Sequence, residues 1–142
     1  MDWHYNDGGR AAAGYKGTTD DCVTRAIAIA AQMPYQGVYD ALNELAKTER
    51  PLLRQPRPSS ARTGVYRPTT RTYLNQLGWE WVPTMQIGSG CRVHLRADEL
   101  PSGRIICKLS KHVCAVIDGV VCDTHDPTRD GTRCVYGYWH KP

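Results

Sequence analysis

The chain has 142 residues, of which 41% are hydrophobic, and its formal net charge at pH 7 is +4. This length suits one hydrophobic core and is too short for two, so a single domain over residues 1–142 is expected. The start of the chain is polar and no apolar run approaches membrane-spanning length, so we expect a cytoplasmic protein without a membrane partner. No CxxC pair is present to bind structural zinc. In the cytoplasm all six cysteines should be reduced; they are Cys22, Cys91, Cys107, Cys114, Cys122 and Cys134.

The first of three predicted helices covers residues 20–32. Asp20 or Asp21 is a suitable N-cap, and Asp21 can pair with Arg25 one turn later. An alanine and isoleucine stripe at helical spacing should be buried: Val23, Ala26, Ile27 and Ala30.

Two further helices are predicted before the pattern changes. One lies within residues 34–50, where apolar residues recur at helical spacing. The other lies in residues 69–78, beginning after Pro68 with a threonine cap and ending at Gly78.

A segment rich in arginine and proline, from about residue 50 to 68, separates the second and third helices. It has no acidic residue between Pro51 and Arg71, and its composition is typical of a long extended loop. Such a loop can contact an acidic substrate, a nucleic acid or another polyanion; the candidate contacts are Arg54, Arg57, Arg62 and Arg67. Nucleic acid is the weaker of these partners because few aromatic residues are available to stack on bases.

The second half of the chain is predicted to form β-strands. The runs are "WEWVP", "GRIICKL", "HVCAVID", "GVVCDT" and "TRCVYGYW", which are rich in β-branched and aromatic residues and separated by turn signals. Helices followed by consecutive strands indicate an α+β fold with an antiparallel sheet.

The most informative local signal is "HVCAVIDGVVCDT", in which two apolar runs flank Asp118-Gly119. That dipeptide is preferred at the centre of a two-residue type I′ hairpin turn. The turn fixes the register, which places Ile117 opposite Val120 and, further out, His112 opposite His125. Because opposed and alternate residues share a face, one face should carry His112, Cys114, Val116, Val121, Asp123 and His125.

In this register Asp123 is the diagonal neighbour of His112, at a Cβ separation of about 7 Å that the side chains can close to a hydrogen bond. The hairpin thereby selects Asp123 over Asp126 as the partner of His112. Upstream, Cys22 lies at a helix N-terminus, which lowers the pKa of a thiol, as does a nearby imidazolium. The chain order Cys22, His112, Asp123 is typical of a thiol enzyme.

These residues resemble the papain-like cysteine peptidase superfamily, in particular its small Cys-His-Asp members such as bacteriocin-processing peptidases. The strings "DDCVTRAI" and "KHVCAVIDGVVCDT" also look like those of short proteins of bacteria and their phages. The resemblance implies N-terminal helices packed on a C-terminal antiparallel sheet. It also implies a cysteine peptidase that cleaves an amide or isopeptide bond of a protein or peptide without a cofactor, with Cys22 as nucleophile, His112 as general base and Asp123 orienting it.

The second donor of an oxyanion hole is left open. Papain-like peptidases have a glutamine shortly before the cysteine, and here no glutamine precedes Gln32. The backbone N–H of Cys22 can donate one hydrogen bond, and Asn6, Thr18 and Thr19 are candidates for the other. The same nucleophile would serve acyl transfer to an amine, so a transamidase also remains open.

Two alternative functions use other features of the sequence. On the predicted hairpin face, His112, Cys114, Asp123 and His125 form a ligand set acceptable to zinc or iron, although one two-stranded ribbon rarely supplies a whole tetrahedral site, and we predict no metal. The other alternative is a catalytically inactive papain-like module that binds nucleic acid or an acidic partner through its arginine-rich loop.

Overall fold

The computed structural model has an α+β fold with three helices and a six-stranded, mostly antiparallel sheet. It describes residues 1–17, 19–51, 53–55, 57–86 and 88–142. The elements in chain order are β1 Asp2–Tyr5, α1 Cys22–Ala31, α2 Tyr35–Ala46, α3 Arg67–Gln76, β2 Glu80–Pro83, β3 Arg104–Leu109, β4 His112–Ile117, β5 Val120–Asp123 and β6 Gly137–His140. The strand order across the sheet is β1-β5-β4-β3-β6-β2. Among the residues described, no helix combines the length and apolar character needed to cross a membrane.

Hydrophobic cores lie on both faces of the sheet. On one face Ile106 and Ala115 pack against the helices, and α1 lies mainly against β4. On the other face their chain neighbours Ile105 and Val116 pack against Leu95 and other residues of the connecting segments. This division follows from the two-residue period of a strand, and it brings the first turn of α1 to the sheet end at which β4 begins.

Helix α1 buries the predicted face, but it begins at residue 22 where the prediction began at residue 20. It starts at Cys22, with Asp21 at the N-cap position. The Asp21 carboxylate makes no capping hydrogen bond, because it pairs with Arg25 and with neighbouring hydroxyl groups instead. Every residue of the predicted stripe is buried: Val23, Ala26, Ile27 and Ala30.

Helix α3 begins before the predicted threonine cap, so the expected start after Pro68 is wrong. Pro68 lies in the first turn, where its missing N–H removes no intrahelical hydrogen bond. The predicted end at Gly78 is confirmed, since this glycine takes the left-handed conformation with φ +88°. Its N–H donates to the Asn75 carbonyl, and the Trp79 N–H donates to the Leu74 carbonyl, which is the Schellman pattern.

The predicted hairpin turn and its inner register are confirmed. Asp118 and Gly119 both have positive φ, at 48° and 79°, as a type I′ turn requires. The paired residues are Ile117 with Val120, Val116 with Val121, and Ala115 with Cys122. The strand β5 ends at Asp123, so His125, which was expected opposite His112, lies beyond the ladder.

Strand β1 is absent from the sequence prediction, and it adds a parallel pair to a sheet that was expected to be antiparallel. It lies beside β5, with Trp3 opposite Val121. Its aromatic residues Trp3 and Tyr5 alternate with polar ones, but the run has only four residues and all four are exposed, so it is too short to predict a strand. The strand fixes the end of β5, because the Asn6 N–H and the Trp3 Nε1–H both donate to the Asp123 carbonyl, at 3.0 and 3.1 Å.

The expectation that all cysteines are reduced is wrong for Cys91 and Cys134, which form a disulfide with Cα atoms 5.8 Å apart. Segments 93–95 and 133–135 run side by side and exchange backbone hydrogen bonds of 2.8 Å, which brings the two cysteines within bridging distance. This pairing also occupies residues that were expected in the last strand, so β6 begins only at Gly137.

Gly137 makes room for a neighbouring aromatic ring. A Cβ atom at this position would lie 2.4 Å from the Trp81 side chain. The Trp81 ring therefore packs directly on the backbone of β6, with its centroid 4.5 Å from that of Trp139. Above Trp81, the Arg67 guanidinium carbon lies 4.6 Å from the ring centroid, a cation–π contact that holds this arginine at the start of α3.

Candidate active site

A cleft of about 500 Å³ opens where the first turn of α1 meets the start of β4. Cys22 and His112 line it from these two elements, and His125 lines it from the segment after β5. Residues 63–65, the last part of the arginine-rich loop before α3, form a further wall. The cleft thus brings together side chains from parts of the sequence that are far apart.

Cys22 is the first residue of α1, and it lines the cleft together with His112. Burial by itself raises the pKa of the Cys22 thiol. The hydrogen bond and charge of His112, the N–H of Val113 and the charge of Arg25 outweigh burial, so the pKa of Cys22 lies below its ordinary value. The site therefore favours a thiolate at Cys22.

His112 forms a hydrogen bond with Asp123: its Nε2 atom lies 2.6 Å from Oδ2 of the carboxylate. This leaves Nδ1 of His112 as the ring atom for Cys22. Burial lowers the pKa of His112, but its hydrogen bonds to Asp123 and Cys22, together with their negative charges, raise the pKa to about 9. Imidazolium and thiolate thus stabilise each other, and the interaction predicted between His112 and Asp123 is present.

The second carboxylate oxygen of Asp123, Oδ1, is also hydrogen-bonded. Oδ1 accepts hydrogen bonds from the Thr124 N–H at 2.7 Å and from Nη2 of Arg25 at 3.2 Å. Burial raises the pKa of Asp123, yet His112, the Thr124 N–H and Arg25 lower it further, so the pKa lies below the ordinary value. Asp123 therefore stays ionised and holds the imidazole ring in one orientation.

Arg25 connects Asp123 to a second buried carboxylate. The predicted pairing of Arg25 with Asp21 is present, and the same guanidinium also reaches Asp123, 98 positions away in the chain. Asp21 is 1% exposed and accepts hydrogen bonds from the Tyr35 hydroxyl at 2.6 Å and the Thr19 hydroxyl at 2.8 Å. Because its charge is neutralised there, Asp21 does not prevent ionisation of Cys22. Sequence patterns give no signal for the Arg25–Asp123 pair.

The oxyanion candidates have different surroundings. The Asn6 side-chain oxygen accepts from the Gly8 N–H at 2.8 Å, in a turn after β1, and Asn6 is not among the residues that line the cleft. Thr19 lines the cleft, but its hydroxyl donates to Asp21. Thr18 lies outside the described residues. The backbone N–H of Cys22 lies at the start of α1, has no carbonyl partner within its helix, and is therefore available to an oxyanion.

The predicted contact arginines do not form one surface. Arg57 lines a separate cavity of about 560 Å³ between the loop and the helix ends, and Arg54 is exposed. The Arg62 guanidinium donates to the Lys16 carbonyl at 2.7 Å. Arg67 lies over Trp81, beside the cleft.

Three of the four alternative metal ligands approach one another. His112, Asp123 and His125 have ligand atoms within 4.8 Å of each other. Cys114 is on the opposite face of the sheet, only 1% exposed, and burial raises the pKa of its thiol well above the ordinary value. The predicted common face of the hairpin is therefore wrong at its open end, where His112 and Asp123 turn toward α1.

The other free thiols among the described residues are unlike Cys22. Cys107, Cys114 and Cys122 are buried, and burial raises the pKa of each. Of these four described free thiols, only Cys22, which lines the cleft, has a lowered pKa.

Comparisons with protein-family models, curated proteins and solved structures gave no match for this chain.

Proposed function

We propose that this protein is a papain-like thiol hydrolase that cleaves an amide or isopeptide bond in a protein or peptide. The observation that carries the proposal is the chain of contacts from Cys22 through His112 to the buried Asp123. It combines a nucleophile at a helix N-terminus, a base within hydrogen-bonding reach, and a carboxylate that fixes the base. The position of the cleft, between α1 and an antiparallel sheet, supports the resemblance to the superfamily.

The reaction would begin with attack of the Cys22 thiolate on the substrate carbonyl carbon. Negative charge then develops on the carbonyl oxygen, where the backbone N–H of Cys22 can donate a hydrogen bond. The His112 imidazolium gives its proton to the leaving amine, which departs and leaves a thioester on Cys22. Neutral His112 next removes a proton from water, which attacks the thioester and releases the acid and the thiolate. An amine in place of this water would give acyl transfer.

Site-resolved alkylation tests the thiolate–imidazolium pair directly. Iodoacetamide labelling followed by peptide mass spectrometry should show fast reaction of Cys22 at neutral pH, with a rate that changes little until His112 loses its proton near pH 9. In His112→Ala, Cys22 should react only as the pH approaches the ordinary thiol value of 9.0. Cys107 and Cys114 are internal controls that should remain unlabelled in the folded protein.

His125→Ala is a matched control. It removes an imidazole that lines the same cleft, and its ring centroid lies 5.0 Å from that of His112. We expect this variant to keep the wild-type alkylation profile. If Cys22 is inert, or if both histidine variants behave alike, the proposed enzyme is wrong and the inactive binding module becomes the better account.

A further inference from the structure

A side cavity of about 210 Å³ opens from the cleft next to the nucleophile. It shares Val23, Val65, Lys108 and Val113 with the cleft. Val23 follows Cys22 in the chain and Val113 follows His112. The cavity is therefore placed to receive the side chain of the residue whose carbonyl Cys22 would attack.

Lys108 contributes a cation to this cavity, and its surroundings contain little to neutralise it. Its Nζ atom donates to the Leu109 carbonyl at 2.8 Å, and no ion pair of the described residues includes it. Burial lowers the pKa of Lys108, and the nearby charges of Arg67 and Arg133 lower it further, against the opposing effect of Cys22. A partly buried ammonium without a carboxylate partner is unfavourable unless a ligand supplies one.

Arg67 also lines the cavity, near enough to Lys108 to lower its pKa. It is likewise absent from the ion pairs of the described chain, and its guanidinium is positioned by Trp81 at 4.6 Å and not by an acidic residue. Its planar donors are thus free to bind a carboxylate, for which guanidinium geometry is well suited.

The rest of the wall is mainly apolar, formed in part by Val23, Val113 and Trp139. Trp139 is 1% exposed and belongs to the core beneath the cavity. Apolar walls with two cations match a methylene stem that ends in a carboxylate.

We propose that the side cavity binds the acidic side chain, glutamate or aspartate, of the substrate residue that carries the scissile carbonyl, with Lys108 and Arg67 holding its carboxylate. This proposal rests on the proposed hydrolase function, because it assigns the substrate class of the same site.

A matched pair of covalent probes tests this preference. Acetyl-Ala-Ala-Glu vinyl methyl sulfone and its Gln analogue have nearly the same shape and differ in charge. Mass spectrometry should show that Cys22 of the wild type is labelled about tenfold faster by the Glu probe. The ratio of the two rates should fall to about one in Lys108→Gln and in Arg67→Gln. Equal rates in the wild type, or an unchanged ratio in both variants, would overturn the proposal.

Lys111→Gln is the control for general charge attraction. Lys111 is exposed and lines the cleft, but it does not line the side cavity, so this variant should keep the Glu preference. Loss of the preference in Lys111→Gln to the same extent as in Lys108→Gln would mean that the positive rim, and not the cavity, selects the acid. Using a ratio of rates cancels any change in the reactivity of the thiol itself.

A binding measurement separates failure of the cavity from failure of the enzyme. Cys22→Ala protein is titrated with acetyl-Ala-Glu-Ala-amide and acetyl-Ala-Gln-Ala-amide while backbone amide NMR signals are followed. We expect tighter binding of the Glu peptide, with shifts centred on Lys108, Arg67 and Val113. If Cys22 proves inert while this binding is seen, the hydrolase is wrong and the acid site stands. If Cys22 is reactive and the two peptides bind equally, the acid site is wrong and the hydrolase stands.

Discussion

The side chains of Cys22 and His112 change each other's acid–base behaviour, and Asp123 sets the direction of the change. The carboxylate 2.6 Å from the imidazole raises the pKa of His112, and the interaction with His112 lowers the pKa of the Cys22 thiol. Asp123 in turn remains ionised through His112, the Thr124 N–H and Arg25. Chemistry at the thiol therefore depends on a residue that does not contact it.

Changing Asp123 to Asn should weaken the nucleophile without removing it. The amide cannot stabilise the imidazolium, so the pKa of His112 should fall from about 9 and the pKa of Cys22 should rise. Each unit of rise removes about tenfold of the thiolate at neutral pH. We expect alkylation of Cys22 at pH 7 to slow by roughly tenfold or more, and hydrolysis of any substrate by on the order of 10²-fold.

The control for this prediction is Asp126→Asn. Asp126 is the other carboxylate near the hairpin, and its Oδ1 accepts hydrogen bonds from the N–H and hydroxyl of Thr128. We expect alkylation of Cys22 in Asp126→Asn to match the wild type. If the alkylation rate of Cys22 falls equally in the two variants, Asp123 is not the specific carboxylate partner of His112.

The residues of the site differ in how far the sequence reveals them. His112 and Asp123 could be paired in advance because a two-residue turn fixes the register between them. The link from Arg25 to Asp123 could not, because it depends on how α1 crosses the sheet and spans 98 positions of sequence. The same limit applies to Arg67, whose place beside the cleft depends on its contact with Trp81.

Among the secondary-structure elements, the β4–β5 hairpin has the most direct effect on the site. Its turn requires positive φ at Gly119, and a Cβ there would lie 3.1 Å from the Cβ of Ala97. Slippage by one residue would move His112 or Asp123 to the wrong face and separate them. The two-residue turn therefore determines whether the base meets its carboxylate.

Gly119→Ala should destabilise the protein by about 1–2 kcal/mol, because alanine is strained in the left-handed conformation. Gly37→Ala should have the opposite effect, a gain of about 0.5–1 kcal/mol, since Gly37 lies within α2 with nothing near its missing Cβ. Urea unfolding of both variants at one pH measures the two changes. A neutral result for Gly119→Ala would contradict the assigned turn.

Sequence patterns predict elements well where the signal is local. The stripe of α1, the glycine end of α3 and the hairpin turn each follow from residues within a few positions of one another. Strand β1 has only a short alternation of four exposed residues, and its place in the sheet depends on backbone hydrogen bonds to the distant β5. The Cys91–Cys134 disulfide also depends on two distant segments meeting, and the sequence separation of 43 gives no indication of it.

For the molecule as a whole, Cys22 and His112 make opposite contributions to the pH dependence of stability. The pKa of His112 is raised from 6.5 to about 9, so its contribution is complete below pH 6.5 and is lost as the pH rises through about 9. The pKa of Cys22 is lowered from 9.0, so its contribution is complete above pH 9.0 and is lost as the pH falls through the folded pKa. In the wild type the two contributions therefore offset each other in part.

Cys22→Ser should expose the contribution of His112. The folded variant still holds a proton on His112 beside Asp123 above pH 6.5, whereas its unfolded chain does not. The stabilisation is complete below pH 6.5 and is lost as the pH rises through the folded pKa, with a slope of up to about 1.4 kcal/mol per pH unit. Urea unfolding at several pH values should show a steeper decline in stability for Cys22→Ser than for the wild type. Parallel curves would mean that no ion pair forms.

The missing side chain at Gly137 has a consequence beyond β6. The glycine admits the Trp81 ring, and the ring contacts Arg67, so a methyl group added at position 137 would move the ring and with it the arginine beside the cleft. Cys22, His112 and Asp123 lie on other elements, α1, β4 and β5. Under the proposed function, selection of the substrate and attack on it would therefore be held by separate parts of the structure.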